Sequence, residues 1–246
     1  MQHRSKKIKK SFFIILIVLI VLSGGSAIYL GNYYHSVDVE KYMNGSSEVS
    51  VEKFDKGWFF DGAGEEKVLI FYPGAKVATE AYAPLMYQLA ESGIDCFLVD
   101  MPFHMAFFGM NRAEEIMQEY NYEAWYLGGH SLGGAMAANF AADYVEDHTD
   151  GIRGLLLLAA YPTKDLSTSD MSVVTVYGSE DGVLNMDKIV AGRELMPQDY
   201  KEVCIEGGNH AQFGSYGTQK GDGTAAIPAE EQWARTVEVF VGDESE

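Results

Sequence analysis

From Lys67 onward, short apolar segments alternate with longer segments whose apolar residues have helical spacing. The pattern predicts strands at residues 68–72, 96–99, 124–127, 155–159, 173–177 and 200–205. It predicts helices at residues 79–92, 104–120, 131–145, 186–196 and 230–241. Strands that are apolar on both faces and alternate with helices are typical of a parallel sheet covered on both sides. We therefore predict an α/β domain built on a mostly parallel sheet that is flanked by helices.

The segment ahead of this alternation has the spacing of a strand hairpin. Val49, Val51 and Phe54 are loosely spaced, and Trp58-Phe59-Phe60 precedes the turn Asp61-Gly62-Ala63-Gly64. Residues 31–48 are rich in Gly, Asn and Ser and are predicted to be a linker. The predicted globular domain therefore covers residues 49–246.

The N-terminal region has the features of a membrane anchor. Residues 12–30 contain no charged side chain, and a helix of about 20 such residues spans a bilayer core of about 30 Å. Because positively charged flanks stay cytoplasmic, we predict a cytoplasmic basic segment (1–10), a single transmembrane signal anchor (11–30) and an extracytoplasmic domain. The alternative is a signal peptide cut within residues 23–27, which would release the domain. The basic side chains ahead of the run are Arg4, Lys6, Lys7, Lys9 and Lys10.

The rest of the chain is strongly acidic. Without those five basic residues, 13 Lys and Arg face 36 Asp and Glu, a net charge of −23. Such a surface repels the phosphates of nucleic acids, so we expect no nucleic-acid partner. Cys96 and Cys204 lie in apolar runs and are predicted to be buried core residues rather than a disulfide pair. No spacing of His, Cys or carboxylates fits a metal site, and no cofactor is expected.

Ser131 is the candidate nucleophile. It lies in Gly129-His130-Ser131-Leu132-Gly133, between a predicted strand and a predicted helix. A sharp strand-to-helix turn exposes the serine hydroxyl and leaves room only for very small residues two positions to either side. Gly-x-Ser-x-Gly alone is weak in a chain with 26 glycines, and a glycine-rich turn or phosphate loop is the alternative. The strand–turn–helix context favours the nucleophile. His130 is expected to pack against a neighbour.

A serine hydroxyl needs a base, and the base needs an orienting carboxylate. His210, in Gly208-Asn209-His210-Ala211, follows the last predicted strand and is the candidate base. Asp181 follows the strand 173–177 and is the candidate acid, with the neighbouring Glu180 as its competitor. Because ligands bind at the carboxyl ends of parallel strands, these residues are expected to meet at one edge of the sheet.

Acyl transfer also builds negative charge on a carbonyl oxygen, which two backbone N–H groups should meet. One donor is expected at Leu132, directly after the nucleophile. The other is expected in Pro73-Gly74-Ala75-Lys76, after the first parallel strand, and Ala75 is the candidate there. An ordinary strand-ending turn at this place is the alternative.

These motifs resemble the α/β-hydrolase superfamily over about residues 65–243. More narrowly, the chain is similar to compact, lid-less bacterial members related to dienelactone hydrolases, which use a cysteine nucleophile where this chain has Ser131. The resemblance implies a mostly parallel eight-stranded sheet and ester hydrolysis. It is carried by Phe71-Tyr72-Pro73-Gly74-Ala75-Lys76-Val77, Gly129-His130-Ser131-Leu132-Gly133-Gly134 and Gly208-Asn209-His210-Ala211-Gln212-Phe213-Gly214.

The sequence thus predicts a membrane-anchored serine hydrolase that cleaves a small-molecule carboxylic ester or thioester through an acyl-enzyme. The short gap from Tyr161 to Met171 predicts a pocket with little or no cap. An acyltransferase or a peptidase with the same triad is one alternative, and a surface binding module without activity is another. His104 could line the pocket, and Asp222, in a glycine-rich loop, could bind a cation.

Overall fold

The structure, a computed structural model, describes residues 31–64, 66–148 and 151–243. Its strands are β1 (Ser50–Phe54), β2 (Gly57–Asp61), β3 (Lys67–Tyr72), β4 (Asp95–Val99), β5 (Ala124–His130), β6 (Ile152–Leu158), β7 (Ser172–Gly178) and β8 (Tyr200–Ile205). Its α-helices are α1 (Glu40–Met43), α2 (Ala83–Glu91), α3 (Arg112–Glu119), α4 (Leu132–Asp147), α5 (Met186–Gly192) and α6 (Ala229–Asp243).

The eight strands form one sheet in the order β1-β2-β4-β3-β5-β6-β7-β8. β2 runs antiparallel to β1 and to β4, and the other five strand pairs are parallel. The sheet is therefore mixed, which corrects the prediction of a mostly parallel sheet. The reason is the two-residue connection between β1 and β2, because strands joined by so short a turn can only pair antiparallel.

Both faces of the sheet are buried, as the continuous apolar strands predict. Along β3, Leu69 and Phe71 point into one core cluster, and Val68 and Ile70 point into another on the opposite face. Helices α2 and α6 contribute to the first cluster, and α3 and α4 contribute to the second. This three-layer arrangement fixes the edge at which the parallel strands end, and the candidate site lies there.

Three predicted helices are shorter than expected. The helix predicted at 79–92 is α-helical over Ala83–Glu91 and begins with a 3₁₀ turn at Thr79–Tyr82. Only Arg112–Glu119 of the predicted helix 104–120 is α-helical, and the preceding residues form two 3₁₀ turns, Pro102–His104 and Ala106–Phe108. A proline and the left-handed backbone of Phe103 (φ 56°) and His104 (φ 54°) interrupt helical geometry there. The predicted helix 186–196 ends as α-helix at Gly192 and continues as a 3₁₀ turn over Arg193–Leu195.

The two cysteines differ in burial. Cys96 is fully buried in β4, as predicted, whereas Cys204 is exposed and both are free thiols. The prediction for Cys204 was wrong because β8 is an edge strand of the sheet, so its side chains are covered less completely than those of β4.

The chain divides into two units, residues 1–33 and residues 34–246. In the second unit, part of the predicted linker packs on the core, since Val39 and Tyr42 are buried. The predicted anchor at 11–30 lies outside the described residues. Within the described ranges, none of the helices has the length and apolar character needed to cross a bilayer.

Candidate active site

Ser131 occupies a sharp turn between β5 and α4. Its backbone has φ 53° and ψ −121°, a conformation that residues other than glycine rarely adopt. The N–H of Ser131 donates to the carbonyl of Leu158 at 2.8 Å, which ties the turn to the end of β6. A Cβ atom added at Gly133 would lie 2.1 Å from the carbonyl oxygen of Tyr72, so only glycine fits there. The local geometry is therefore that of an elbow that presents a serine.

His210 and Asp181 form a buried pair. Nδ1 of His210 lies 2.8 Å from Oδ2 of Asp181, and each side chain is only 2% exposed. The other carboxylate oxygen of Asp181 accepts the backbone N–H groups of Val183 (2.9 Å) and Leu184 (2.8 Å). Its competitor Glu180 is exposed and instead accepts a hydrogen bond from Ser179. The structure therefore brings together His210 and Asp181, and not Glu180.

The hydrogen bond at Nδ1 determines which ring nitrogen of His210 is free to accept a proton. The carboxylate of Asp181 accepts a hydrogen bond from Nδ1–H, so the neutral ring keeps its proton on Nδ1 and carries its free lone pair on Nε2. Nε2 of His210 is buried and has no hydrogen-bond partner among the described residues. Ser131 and His210 line the same cavity, so the candidate nucleophile and the candidate base belong to one site.

The two candidate oxyanion donors are backbone N–H groups without an acceptor inside the described part of the chain. In the loop after β3, the N–H of Gly74 donates to Tyr82 Oη at 3.0 Å and that of Lys76 donates to the carbonyl of His104 at 2.7 Å. Ala75 lies between these two engaged groups. Leu132 is the first residue of α4, where a helix leaves its N–H groups unpaired. Leu132 lines the cavity, whereas Ala75 lies outside its lining.

Asp222 has a role that sequence reasoning missed. Its Oδ1 accepts the N–H groups of Gly182 (3.1 Å) and His210 (3.2 Å), and its Oδ2 accepts that of Ala211 at 2.8 Å. Oδ1 also accepts the N–H of the adjacent Gly223 at 2.9 Å. One carboxylate thus joins the loop that holds Asp181 to the loop that holds His210. In the described residues, no group of three or more His, Cys, Asp or Glu could hold a metal ion.

A second buried network lies behind the base. Tyr82 Oη accepts the N–H of Gly74 and lies 2.7 Å from Nδ1 of His130, and both side chains are buried. Since a buried hydroxyl proton needs an acceptor, Tyr82 donates to His130, whose ring must then be neutral. Burial, together with the neighbouring His210, lowers the pKa of His130 well below its ordinary value, and burial raises the pKa of Tyr82.

The His130 ring packs beside the predicted base, with 4.4 Å between the ring centroids of His130 and His210. The network therefore connects the loop after β3 to the elbow and supports the inner face of His210. The sequence indicated packing for His130 but contained no signal for Tyr82, which is 48 residues away. His104 is half-buried and contributes its carbonyl to Lys76; its side chain is outside the cavity lining.

The cavity at the elbow has a volume of about 360 Å³ and a mainly apolar wall. Its apolar side chains include Leu132, Met136, Val183 and Leu184. The connection between β6 and β7, residues 159–171, contains no helix and places no cap over it. Cavities of this size and polarity accept small organic ligands. A larger surface cavity between α2 and α6 contains none of the predicted site residues.

Comparisons with known proteins identify the family of this chain. The model of the alpha/beta hydrolase family matches residues 68–234. The chain belongs to the alpha/beta hydrolase family and is a hydrolase enzyme. No curated protein matches it in sequence.

Several solved structures share its fold. Est1E from Butyrivibrio proteoclasticus is 16% identical with a TM-score of 0.56, covering 81% of this chain and 100% of its own. Carboxyl esterase 2 from Tuber melanosporum is 13% identical with a TM-score of 0.59, covering 85% and 89%. A bacterial membrane phospholipase A is 13% identical with a TM-score of 0.61, covering 96% and 100%. At these identities the likeness shows the fold.

Proposed function

We propose that the chain is a serine hydrolase that cleaves carboxylic esters or thioesters, with Ser131 as nucleophile, His210 as base and Asp181 as orienting acid. The observation that carries the proposal is the buried Asp181–His210 pair, since the Nε2 of His210 has no partner among the described residues and His210 lines the same cavity as Ser131. Solved structures with the same fold include esterases, which supports ester hydrolysis as the reaction class.

The first half-reaction forms an acyl-enzyme. Oγ of Ser131 attacks the carbonyl carbon of the ester while its proton passes to Nε2 of His210, and Asp181 stabilises the imidazolium that results. The carbonyl oxygen becomes an oxyanion, which the N–H groups of Leu132 and Ala75 meet. The bond from the carbonyl carbon to the alcohol oxygen then breaks, and Nε2 returns its proton to the leaving alkoxide.

The second half-reaction uses water as the nucleophile. Water attacks the acyl carbon and gives its proton to Nε2, and collapse of the second oxyanion breaks the bond to Oγ. Nε2 reprotonates Oγ, and the carboxylic acid leaves. The apolar wall formed by Leu132, Met136, Val183 and Leu184 suits the acyl group.

The direct test is covalent labelling of the full chain with a fluorophosphonate. We expect one labelled residue, Ser131, with labelling and p-nitrophenyl butyrate hydrolysis both lost in Ser131→Ala. Ser92→Ala, at an exposed serine on the end of α2, is the matched control and should retain both. A folded wild-type protein that neither labels nor turns over would refute the proposal. Transfer of the acyl group to an added alcohol or amine in preference to water would instead identify an acyltransferase.

We also propose that the apolar run 12–30 anchors the protein in a membrane, with the hydrolase domain outside the cytoplasm. The five basic residues ahead of the run support this orientation. A reporter enzyme that works only outside the cytoplasm should therefore be active when it is fused after Glu246. Mass analysis of the mature N-terminus distinguishes a retained anchor from a cut signal peptide.

A further inference from the structure

The loop between β4 and α3 exposes three phenylalanine side chains. Phe103 is 56% exposed, Phe107 60% and Phe108 51%. Phe108 contacts both of the others, with ring centroids 5.5 Å from Phe103 and 4.6 Å from Phe107. These three side chains, here called the phenylalanine patch, therefore form one continuous apolar surface. An exposed aromatic cluster of this kind is typical of an interaction site.

The backbone around the patch adopts conformations that keep these side chains in solvent. Phe103 and His104 both adopt left-handed conformations, which are unfavourable for residues with side chains. Ala106, between the exposed rings, is fully buried, and its 3₁₀ turn packs against α4, the helix that begins after Ser131. A loop held in an unfavourable conformation that keeps aromatic rings in solvent points to a function for those rings.

The patch adjoins the predicted oxyanion loop. The N–H of Lys76 donates to the carbonyl of His104, within the patch loop, at 2.7 Å. The carbonyl of the same Lys76 accepts the N–H of Tyr34 at 2.7 Å, and Tyr34 pairs with Val77 as a parallel bridge. One residue next to Ala75 therefore joins the patch loop to the start of the second unit.

The residues after Tyr34 stay at this edge of the sheet. The N–H of Val37 donates to the carbonyl of Ser215 at 2.8 Å, and the N–H of Lys220 donates to Tyr34 Oη at 3.2 Å. Ser215 and Lys220 lie in the segment that follows His210. The domain thus begins beside its candidate active site and not at the opposite edge of the sheet.

The apolar run ends at Leu30, four residues before Tyr34. Covalent geometry allows about 14 Å between these two Cα atoms even when the chain is fully extended. If the run spans a bilayer, Tyr34 must therefore lie close to the membrane surface. Since Lys76 is hydrogen-bonded both to Tyr34 and to His104, the loop that carries the patch would then lie near the same surface.

We infer that the phenylalanine patch inserts into the interfacial region of the bilayer that holds the anchor, and that the enzyme takes its ester substrate from that bilayer. The charge of −23 outside the basic N-terminus favours zwitterionic or neutral lipids over anionic ones. Aromatic side chains are enriched at membrane interfaces. With no cap between β6 and β7, the membrane itself covers the cavity. The substrate part of this inference rests on the proposed hydrolase function, and the contact part does not.

The contact is tested on the full chain in phosphatidylcholine vesicles by spin labelling. A nitroxide is placed at Phe107→Cys in a Cys204→Ser background, and the control is the native exposed Cys204, since Cys96 is fully buried. We expect the label at 107 to collide with oxygen and to be shielded from a water-soluble nickel complex, whereas the label at 204 should be open to nickel. Equal nickel access at both positions, or spin–spin broadening at 107 that reveals a second copy on the patch, would overturn the inference.

The substrate class is tested with Phe107→Ser/Phe108→Ser. Hydrolysis of soluble p-nitrophenyl butyrate should stay within about twofold of wild type, while hydrolysis of a long-chain ester carried in the vesicles should fall at least about tenfold. Val190→Ser, at another exposed apolar residue (53%), is the control and should change neither rate. Equal effects on the two substrates contradict the inference. If wild type hydrolyses neither ester, the proposed function fails and the spin-label result still decides the contact.

Discussion

Asp222 offers a sharp test of how the candidate site is held together. Its carboxylate accepts three N–H groups from two other loops, those of Gly182, His210 and Ala211. Asp222→Asn keeps one acceptor oxygen in place of Oδ1 but turns an NH₂ group toward the N–H of Ala211. Asp222→Ala removes all three connections. Neither variant replaces Ser131, His210 or Asp181.

The expected magnitudes follow from these bonds. A hydrogen bond of a partly solvated group contributes about 1 kcal/mol, so Asp222→Ala should destabilise the fold by about 3 kcal/mol and Asp222→Asn by about 1–2 kcal/mol. For a domain of this size, 1 kcal/mol corresponds to a Tm change of about 2–4 °C. Displacement of His210 by a fraction of an ångström to about 1 Å should lower kcat/KM by roughly 10- to 100-fold.

The assay measures kcat/KM for p-nitrophenyl butyrate and the rate of fluorophosphonate labelling, both at a temperature well below the Tm of every variant. Asp165→Asn is the matched control, because Asp165 also accepts a backbone N–H, that of Ser167 at 2.9 Å, but lies on an exposed loop. Since a surface substitution of this kind has little effect on the fold, it should leave both the Tm and the activity close to those of wild type. The reasoning is wrong if Asp222→Asn lowers Tm while kcat/KM and the labelling rate stay within about twofold of wild type.

Two further predictions concern the ionisable groups of the site. The pKa of His130 in the folded protein is held well below 6.5. As the pH falls through about 6.5, the unfolded chain therefore takes up a proton at this ring while the folded protein keeps it neutral. The free energy of unfolding consequently keeps its full value above that pH and decreases as the pH falls below it. Between pH 7.5 and pH 5.5 the free energy of unfolding in urea should therefore fall by about 1 kcal/mol more in wild type than in His130→Asn. Equal losses would contradict a buried neutral ring. Asp181→Asn should lower kcat about 10⁴-fold by favouring the wrong tautomer of His210, whereas the exposed neighbour variant Glu180→Gln should retain kcat; a large loss in Glu180→Gln would reverse the assignment of the acid.

Much of the fold could be predicted because its strands and helices follow from the pattern of apolar and turn residues over short segments. The six apolar segments from residue 68 onward all became strands, and the hairpin ahead of them was predicted from its spacing and turn residues. Where local pattern failed, a local interruption was the cause. The helix expected at 104–120 begins only at Arg112 because the chain after Pro102 turns through two left-handed residues.

The candidate site was predictable only in part. Ser131, Asp181 and His210 each follow a strand, and parallel strands end at a common edge, so their meeting could be anticipated. Nothing in the order of residues placed Tyr82 against His130, or Asp222 against the N–H groups of Gly182 and His210. The exposure of Cys204 depends on the place of β8 at the edge of the sheet, which is decided by how the strands pack and not by the residues near Cys204 alone.

By itself, the sequence of this protein determined its elements, their order and the residue types that carry chemistry, because hydrophobic periodicity and the small residues around Ser131 act over a few neighbouring positions. The tertiary structure decided which residues that are distant in sequence form hydrogen bonds with one another. It joined Asp181 to His210, Asp222 to two loops and Lys76 to both Tyr34 and His104. The physical reason is that hydrogen bonds and burial depend on proximity in space, which the packing of the whole sheet and its helices fixes and no short segment encodes.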